Sequence, residues 1–443
     1  MELGRHLGKG LWGLADKTLP VLYGFGFAYL VVRVLSEEEY GNWVLIQEIF
    51  LLITGMATAI ALNPIMKFGA ESGGHLRSSV TVGVVLQAGF MVISSLLILA
   101  LRGPLGAVQK FHQLAMLVDL IPLMLAASFI RNLALVVLQS QFMVRELFVT
   151  DAIHFLGAPF LIWVWSKFDL FDQAVDLVWI NIISLSASSL VGLVLARHQM
   201  KMTLRPVPGS LSTMWRYGVY SLGGTVSSLF SSRADSFLLA AFTGPIEVAV
   251  YTSAKFFVRA YEMVAQVFQM FLLPGVSRLN SKGDTVGLKA VTEKALMFGN
   301  IVMVPVLLGF VFLAGPMVRI VYQGRYLEAI PQLQIFALLS FVVTATSVGS
   351  NVLLGLGEAR KSFILGMQSL VASIIAYVVL IPLFGVTGAT LGYVLSMVIL
   401  AVLSIRVLRE FMPITVAGVW KRWRDVDNYV RRILSGLTDQ NQQ

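Results

Sequence analysis

The segment "AKFFVRAYE" holds Lys255, Arg259 and Glu262 at positions i, i+4 and i+7, inside an apolar run over 248–273. On an α-helix that spacing puts all three side chains on one face. A stripe of cations inside an apolar helix could hold an anionic group, and Glu262 could tune or neutralise it. Arg233 and Asp235 lie in another apolar run, 217–241. They are two apart, so they point to different sides and are not expected to pair with each other. Glu48 in run 41–62 and Arg131 with Asp119 in run 114–138 are further ionisable residues within apolar sequence. Asp16 and Lys17 open the first run and read as interfacial. Buried charges also serve structure, as ion pairs that fix helix register. For Asp119, Arg131 and Glu48 that reading is favoured, whereas Arg259, Arg233 and Lys255 are the candidate anion-binding cations. Asp235, Glu262, Glu48 and Arg131 are kept as candidates for lining a cavity or coupling to an ion.

The elements that carry these charges follow from composition. Apolar residues make up 57% of the 443-residue chain and charged residues 13%, and the mean hydropathy is +0.80. Water-soluble domains sit near 45–50% apolar and about 25% charged, so this chain needs a bilayer to cover its apolar side chains. Apolar runs fall at 14–34, 41–62, 79–101, 114–138, 148–165 and 175–196, then at 217–241, 248–273, 290–314, 333–354, 363–384 and 386–408. Each is about the length of a membrane-spanning helix, and backbone groups in lipid must be satisfied within the helix itself. The expected fold is therefore all-α and integral to the membrane, with twelve transmembrane helices. The polar segment "RHQMKMTLRPVPGSLSTMWR" divides them into six and six. The divisions read as an N-lobe at 1–200, a C-lobe at 201–410 and a basic tail at 411–443. Within a membrane, a mid-span charge costs at least about 2.5–3.5 kcal/mol and usually faces protein or a water-filled cavity.

The loops alternate in charge. Lys67, Arg77, Arg145, Arg197, Lys201, Arg278, Lys282, Arg360 and Lys361 fall on one side, and "SEEEY", "SKFDLFDQAVD" and "TGPIE" on the other. The positive side is cytoplasmic by the usual asymmetry, which puts both termini there. The net charge of +9 is explained by these loops and calls for no nucleic acid. Cysteine is absent, so no thiol chemistry is encoded. The opening residues lack the short apolar core and small-residue cleavage site of a signal peptide.

Laid over each other at an offset of about 208, "VLSEEEYGNW" and "FTGPIEVAVY" bring Glu39 onto Glu247 and Trp43 onto Tyr251. Both join the first two spans of a six-span half, as a duplication about an axis along the membrane normal would require. "VRVLSEEEYGNW" resembles the R-x-L-x-x-x-E-Y-G element that closes the first span in polysaccharide flippases of the MOP superfamily, the Wzx type. "SRADSFLLAAFTGPIEVAVYTSAKFF" resembles their seventh span and following turn, "FLLPGVSRL" the end of the eighth, and "GEARKSFILGMQS" with "PLFGVTGATLGYVLS" the last two. The resemblance covers nearly the whole chain. It implies two six-helix lobes in a V around a central cavity, a MATE/MOP-like plan. It also implies movement of undecaprenyl-diphosphate-linked oligosaccharide across the bacterial inner membrane. The lipid II flippases of that superfamily typically carry fourteen spans. The cavity would be lined by spans one, two, seven and eight. Its arginines would hold the diphosphate, because a guanidinium fork matches phosphate oxygens bidentately, while the polyprenyl tail stays in lipid.

Pro20, Gly24 and Gly26 in the first span, and Gly223 and Gly224 in the seventh, could let those helices bend. In the tail, Val416, Val419, Trp420, Trp423, Val430, Ile433 and Leu437 share one broad face, with Lys421, Arg422, Arg424, Arg431 and Arg432 on the remainder. That pattern predicts an amphipathic helix on anionic lipid, or else a partner-binding helix. His6, His75, His112, His154 and His198 show no metal-ligand spacing. No phosphate-binding G-x-x-x-x-G-K-S/T loop occurs. No enzyme, cofactor or metal is expected. The expected partners are a lipid-linked oligosaccharide, the phospholipid bilayer and other polysaccharide-assembly membrane proteins. The alternative is a MATE-like antiporter of small molecules or cations, which would favour an acid-dominated cavity over a basic stripe. A membrane glycosyltransferase, polymerase or ligase would need a larger external loop than this chain has.

Overall fold

The computed structural model describes residues 2–31, 34–69, 76–203 and 205–425. Helices form wherever the sequence is apolar, and no strand occurs among the described residues. In chain order they are α1 (Glu2–Val31), α2 (Glu37–Ala57), α3 (Asn63–Gly69), α4 (Leu76–Gly106), α5 (His112–Val118) and α6 (Ile121–Ser140). Next come α7 (Val144–Lys167), α8 (Ala174–Ala196), α9 (Ser210–Phe242), α10 (Pro245–Lys255), α11 (Arg259–Ser281) and α12 (Thr285–Phe312). The last are α13 (Ala314–Tyr322), α14 (Ala329–Phe336), α15 (Val343–Gly355), α16 (Ala359–Phe411) and α17 (Val416–Lys421).

Among the described residues, seven helices are long and apolar enough to cross a membrane. An eighth is added if the pair Ala329–Phe341 and Val343–Gly355, bent by 45°, is one span. That is fewer than the twelve runs read from the sequence, for local reasons. The last two runs are counted once in that total although they are two helices. They meet without a loop at Gly385, whose φ of 56° and ψ of −129° are non-helical, and fold back so that Gly392 lies against Tyr377 and Ser369 Oγ donates to the Ser396 carbonyl at 3.4 Å. Span eight is split between α10 and α11 by a 3₁₀ turn at Phe256–Val258. Span seven is diluted by six serines as well as by Arg233 and Asp235.

The chain forms two compact units, residues 1–249 with 320–325, and residues 250–319 with 326–443. In the first, α8 packs on α6 and α7, and α1 packs along α7. Helix α9 belongs to this unit, against α2, α3, α4 and the π turn Thr58–Leu62. Gly218 of α9 makes that approach possible, since a Cβ there would run into the carbonyl of Ile60. The core includes Leu62, Ile65, Val80, Leu133, Val137 and Met214. Residues 320–325 join this unit through Arg325, whose Nη1 donates to the Leu35 carbonyl at 2.8 Å.

The triple acid of residues 37–39 begins α2. Ser36 is its N-cap, accepting from the Glu39 N–H at 3.2 Å. Three carboxylates in the first turn suit the positive end of the helix dipole. Glu39 does more, accepting the N–H of Ala174 at 2.6 Å and so capping the start of α8. The second copy of this turn places Gly244 at φ +123°, and Gly41 lies directly against Pro245.

In the second unit, α11, α12, α15 and α16 enclose a core of Leu272, Val276, Leu296, Val352, Leu408 and Ile414. Gly355 lets α15 meet Val276 of α11, and Gly349 lets it meet Ser404 of α16. The tail is helical over Val416–Lys421. Val430, Ile433, Leu437, Arg431 and Arg432 of the expected tail face lie outside the described residues.

Candidate functional site

The span-eight stripe is positioned by the break in its own helix. Along an α-helix, Lys255 and Arg259 would differ by about 40°. Each residue step in a 3₁₀ turn advances about 20° more, so Phe256–Val258 swings the two cations apart. Lys255 is half-buried, its Nζ 5.6 Å from the Tyr251 ring centroid and 5.3 Å from that of Tyr393. Arg259 is exposed, its guanidinium 5.2 Å from the Phe256 ring. Glu262 is exposed on the next turn. Neither Arg259 nor Glu262 has an ion-pair partner among the described residues, so the two do not neutralise each other. Below them, Tyr261 is buried and its hydroxyl contacts Ser340 Oγ at 2.8 Å and the Phe336 carbonyl at 3.2 Å. That anchor fixes the start of α11 and therefore the base of Arg259.

Arg233 is placed differently. Its guanidinium pairs with Glu48 of α2, and both side chains are largely buried. Asp235 is fully buried, accepts the N–H of Ser236 at 2.7 Å and attracts Arg233 through space. The sequence separates Arg233 from Asp235 correctly, and the structure supplies the true partner, 185 residues away. Within the first unit this arrangement is a charge pair joining α2 to α9.

A third group centres on Arg131 of α6. It pairs with Asp151 of α7, and its Nε donates to Ser188 Oγ of α8 at 3.1 Å. Ser188 gives its own hydrogen to the Thr150 carbonyl at 2.6 Å, so it can only accept from Arg131. The Arg131 backbone N–H reaches Ser189 Oγ at 3.1 Å. Buried Asp16 of α1 is close enough to act on the Arg131 charge. Asp16 is thus buried among the helices, near the start of the first apolar run. One turn beyond Asp151, His154 Nδ1 meets Ser184 Oγ at 3.0 Å. Ser184 donates to the Asn181 carbonyl at 3.1 Å, so the proton of this contact belongs to His154 Nδ1. Four helices thereby share one buried polar network. Asp151 and His154 were not picked out from sequence. Their signal was available, since both are ionisable residues inside run 148–165, three apart and so on one face. Asp119 lies at the break between α5 and α6 and pairs with Arg102 at 3.1 Å, a structural role. Among the described residues, no group of three or more His, Cys, Asp or Glu could hold a metal ion.

Comparison with known proteins decides the family. A profile described as polysaccharide biosynthesis protein matches residues 30–331. The chain belongs to the polysaccharide biosynthesis protein family. A probable low-salt glycan biosynthesis flippase of Haloferax volcanii is 21% identical over 405 residues, 89% of this chain and 82% of that protein. An uncharacterized membrane protein of Methanocaldococcus jannaschii is 27% identical over 203 residues, 46% of this chain, and the match spans only 40% of that protein's length. Among solved structures, the lipid II flippase MurJ in an inward closed conformation superposes with a TM-score of 0.74 at 13% identity, covering 97% of this chain and 93% of that one. An inward-facing multidrug resistance MATE family transporter of the MOP superfamily gives 0.68 at 15% identity, covering 92% and 99%. This family member therefore has the all-α, multi-pass membrane fold of the MOP superfamily, and its named relatives are flippases and transporters rather than enzymes.

Proposed function

We propose that the chain is a flippase that carries undecaprenyl-diphosphate-linked oligosaccharide across the bacterial inner membrane by alternating access. The proposal includes the finer architecture: twelve spans in two six-helix lobes around a central cavity, with both termini cytoplasmic. The observation that carries it is Arg259, a cation mid-way along an apolar span, exposed and without an acidic partner among the described residues. An unneutralised guanidinium at that depth calls for an anionic ligand, and a diphosphate fits its fork. Family membership and the likeness in name and fold to flippases support the glycan-lipid substrate.

In this reading Arg259 grips the diphosphate first and Lys255 adds charge from among its tyrosines. Arg233 enters as a cation already compensated by Glu48, which a phosphate would have to displace. Glu262 and Asp235 modulate the field around the cations. The Arg131 network, remote from solvent, is the coupling candidate, because a proton or cation arriving at Asp16 or Asp151 would release Arg131 and shift four helices. Other polysaccharide-assembly membrane proteins would supply and receive the substrate.

The test is genetic and biochemical. In a strain lacking the gene, restored surface polysaccharide and normal levels of lipid-linked precursor report transport. Arg259→Ala should abolish rescue and accumulate precursor, and Arg259→Lys should restore part of it, with membrane levels of the protein unchanged. Normal export by an Arg259→Ala, Lys255→Ala double variant overturns the assignment. Export of small organic cations without any polysaccharide phenotype would favour the antiporter.

A further inference from the structure

In the second unit, α12, α15, α16 and α17 line a half-open groove of about 460 Å³, within the size range of ligand pockets. Its walls are aliphatic, including Leu296, Ile301, Val304, Ala345 and Ile405, and Trp420 and Trp423 of the tail close one side. The polar groups at its surface are few, chiefly Arg409, Asn300 and Thr415. A helix merely resting on a membrane needs no such groove, and this one is fastened. Thr415 caps α17 by accepting the Gly418 N–H at 3.1 Å. Arg422 Nε and Nη2 each lie 3.0 Å from Glu293 Oε2 of α12, a carboxylate only 2% exposed.

The charges around the groove are unbalanced. The nearby acids are already taken: Glu293 by Arg422, Asp425 by Lys294 at 3.3 Å, and Glu410 by Lys361 at 2.7 Å. Arg409 donates through Nε to the Ile414 carbonyl at 3.1 Å, which leaves its terminal nitrogens unengaged among the described residues. Lys421 and Arg424, beside the two tryptophans, have no acidic partner among the described residues. An aliphatic groove with Arg409 as the one charged residue of its lining, and exposed indoles on a tail segment that also carries Lys421 and Arg424, matches a chain-bearing anion at a membrane interface.

We propose that this groove is a binding site for an anionic phospholipid. One acyl chain fills the space between α12, α15, α16 and α17. The headgroup phosphate takes the terminal N–H groups of Arg409, with Lys421 and Arg424 flanking it. The lipid thereby holds the tail helix in place together with the Arg422–Glu293 pair. The proposal does not depend on which substrate the protein carries.

The test uses the full chain in nanodiscs of phosphatidylcholine, titrated with phosphatidylglycerol bearing brominated acyl chains that quench tryptophan. A saturable quenching component is expected with phosphatidylglycerol and not with brominated phosphatidylcholine. Trp420→Phe combined with Trp423→Phe should remove it. Arg409→Gln should keep its amplitude and weaken the apparent affinity about fivefold, which corresponds to ~1 kcal/mol for one basic residue near an anionic surface. Equal quenching by the two lipids, or unaltered affinity in Arg409→Gln, overturns the proposal. Should Arg409→Gln fail to fold, the comparison of the two lipids on the unaltered chain still decides.

Discussion

Replacing Asp151 with Asn removes one charge from the Arg131 network while keeping the side chain's shape. Both partners are largely buried, with side chains 11% and 14% exposed. Removing one member of a buried pair typically destabilises by about 3–5 kcal/mol, since the other charge is left uncompensated. Here Arg131 keeps the Ser188 hydroxyl at 3.1 Å and the attraction of Asp16, which sets the expectation at the lower end, about 3 kcal/mol. Adding Asp16→Asn strips the remaining acid, so the double variant should lose more than the sum of the two single losses, by roughly 1 kcal/mol. In an Asp16→Asn background, Arg131→Met with Asp151→Leu removes every charge of the network and should lie within about 1 kcal/mol of the parent, or above it. Unfolding of the detergent-solubilised protein by added SDS, followed by circular dichroism, reads these differences. A parental midpoint for Asp151→Asn would refute the argument. So would a charge-free Met/Leu pair as unstable as the single variant, because packing rather than charge would then be responsible.

Two further outcomes test the packing that positions the site. Gly41→Ala forces a methyl into the Pro245 carbonyl and should sharply lower the yield of folded protein. Gly89→Ala, with nothing within 4 Å, should leave yield unchanged or slightly raised; equal yields from the two would contradict the close approach. Tyr261→Phe loses its contacts to Ser340 and the Phe336 carbonyl and should destabilise by about 1 kcal/mol. It should also reduce transport by loosening the base of Arg259, and a stable variant with full transport would separate the two.

Helical content was legible because membrane burial leaves a simple record, long apolar runs with charged punctuation. The runs at 79–101, 148–165 and 175–196 fall on unbroken helices for that reason. The breaks were not legible. Nothing in "KFFVRA" marks a 3₁₀ turn, and periodicity alone put Lys255 and Arg259 on a common face that the tightened turn divides. Pairing was also hidden, because the Glu48–Arg233 and Arg131–Asp151 contacts join different helices and single-sequence spacing reports only neighbours along one helix. The tail shows both sides at once. Its amphipathic pattern was plain, whereas its anchorage on Glu293, a single acid at the start of an otherwise apolar run, needed coordinates.

Glu39 bears on how the protein is made. Its carboxylate waits on a backbone donor, Ala174, that is synthesised 135 residues later. Until that residue emerges, the hairpin leading into α2 lacks this lock, whereas α8 has its own cap in the Gln173–Asp176 box. The early helices therefore enter the membrane as provisional neighbours, and arrival of the sixth apolar run turns them into a committed bundle. A nascent chain arrested before residue 174 should be markedly more open to protease at residues 36–40 than one arrested after it.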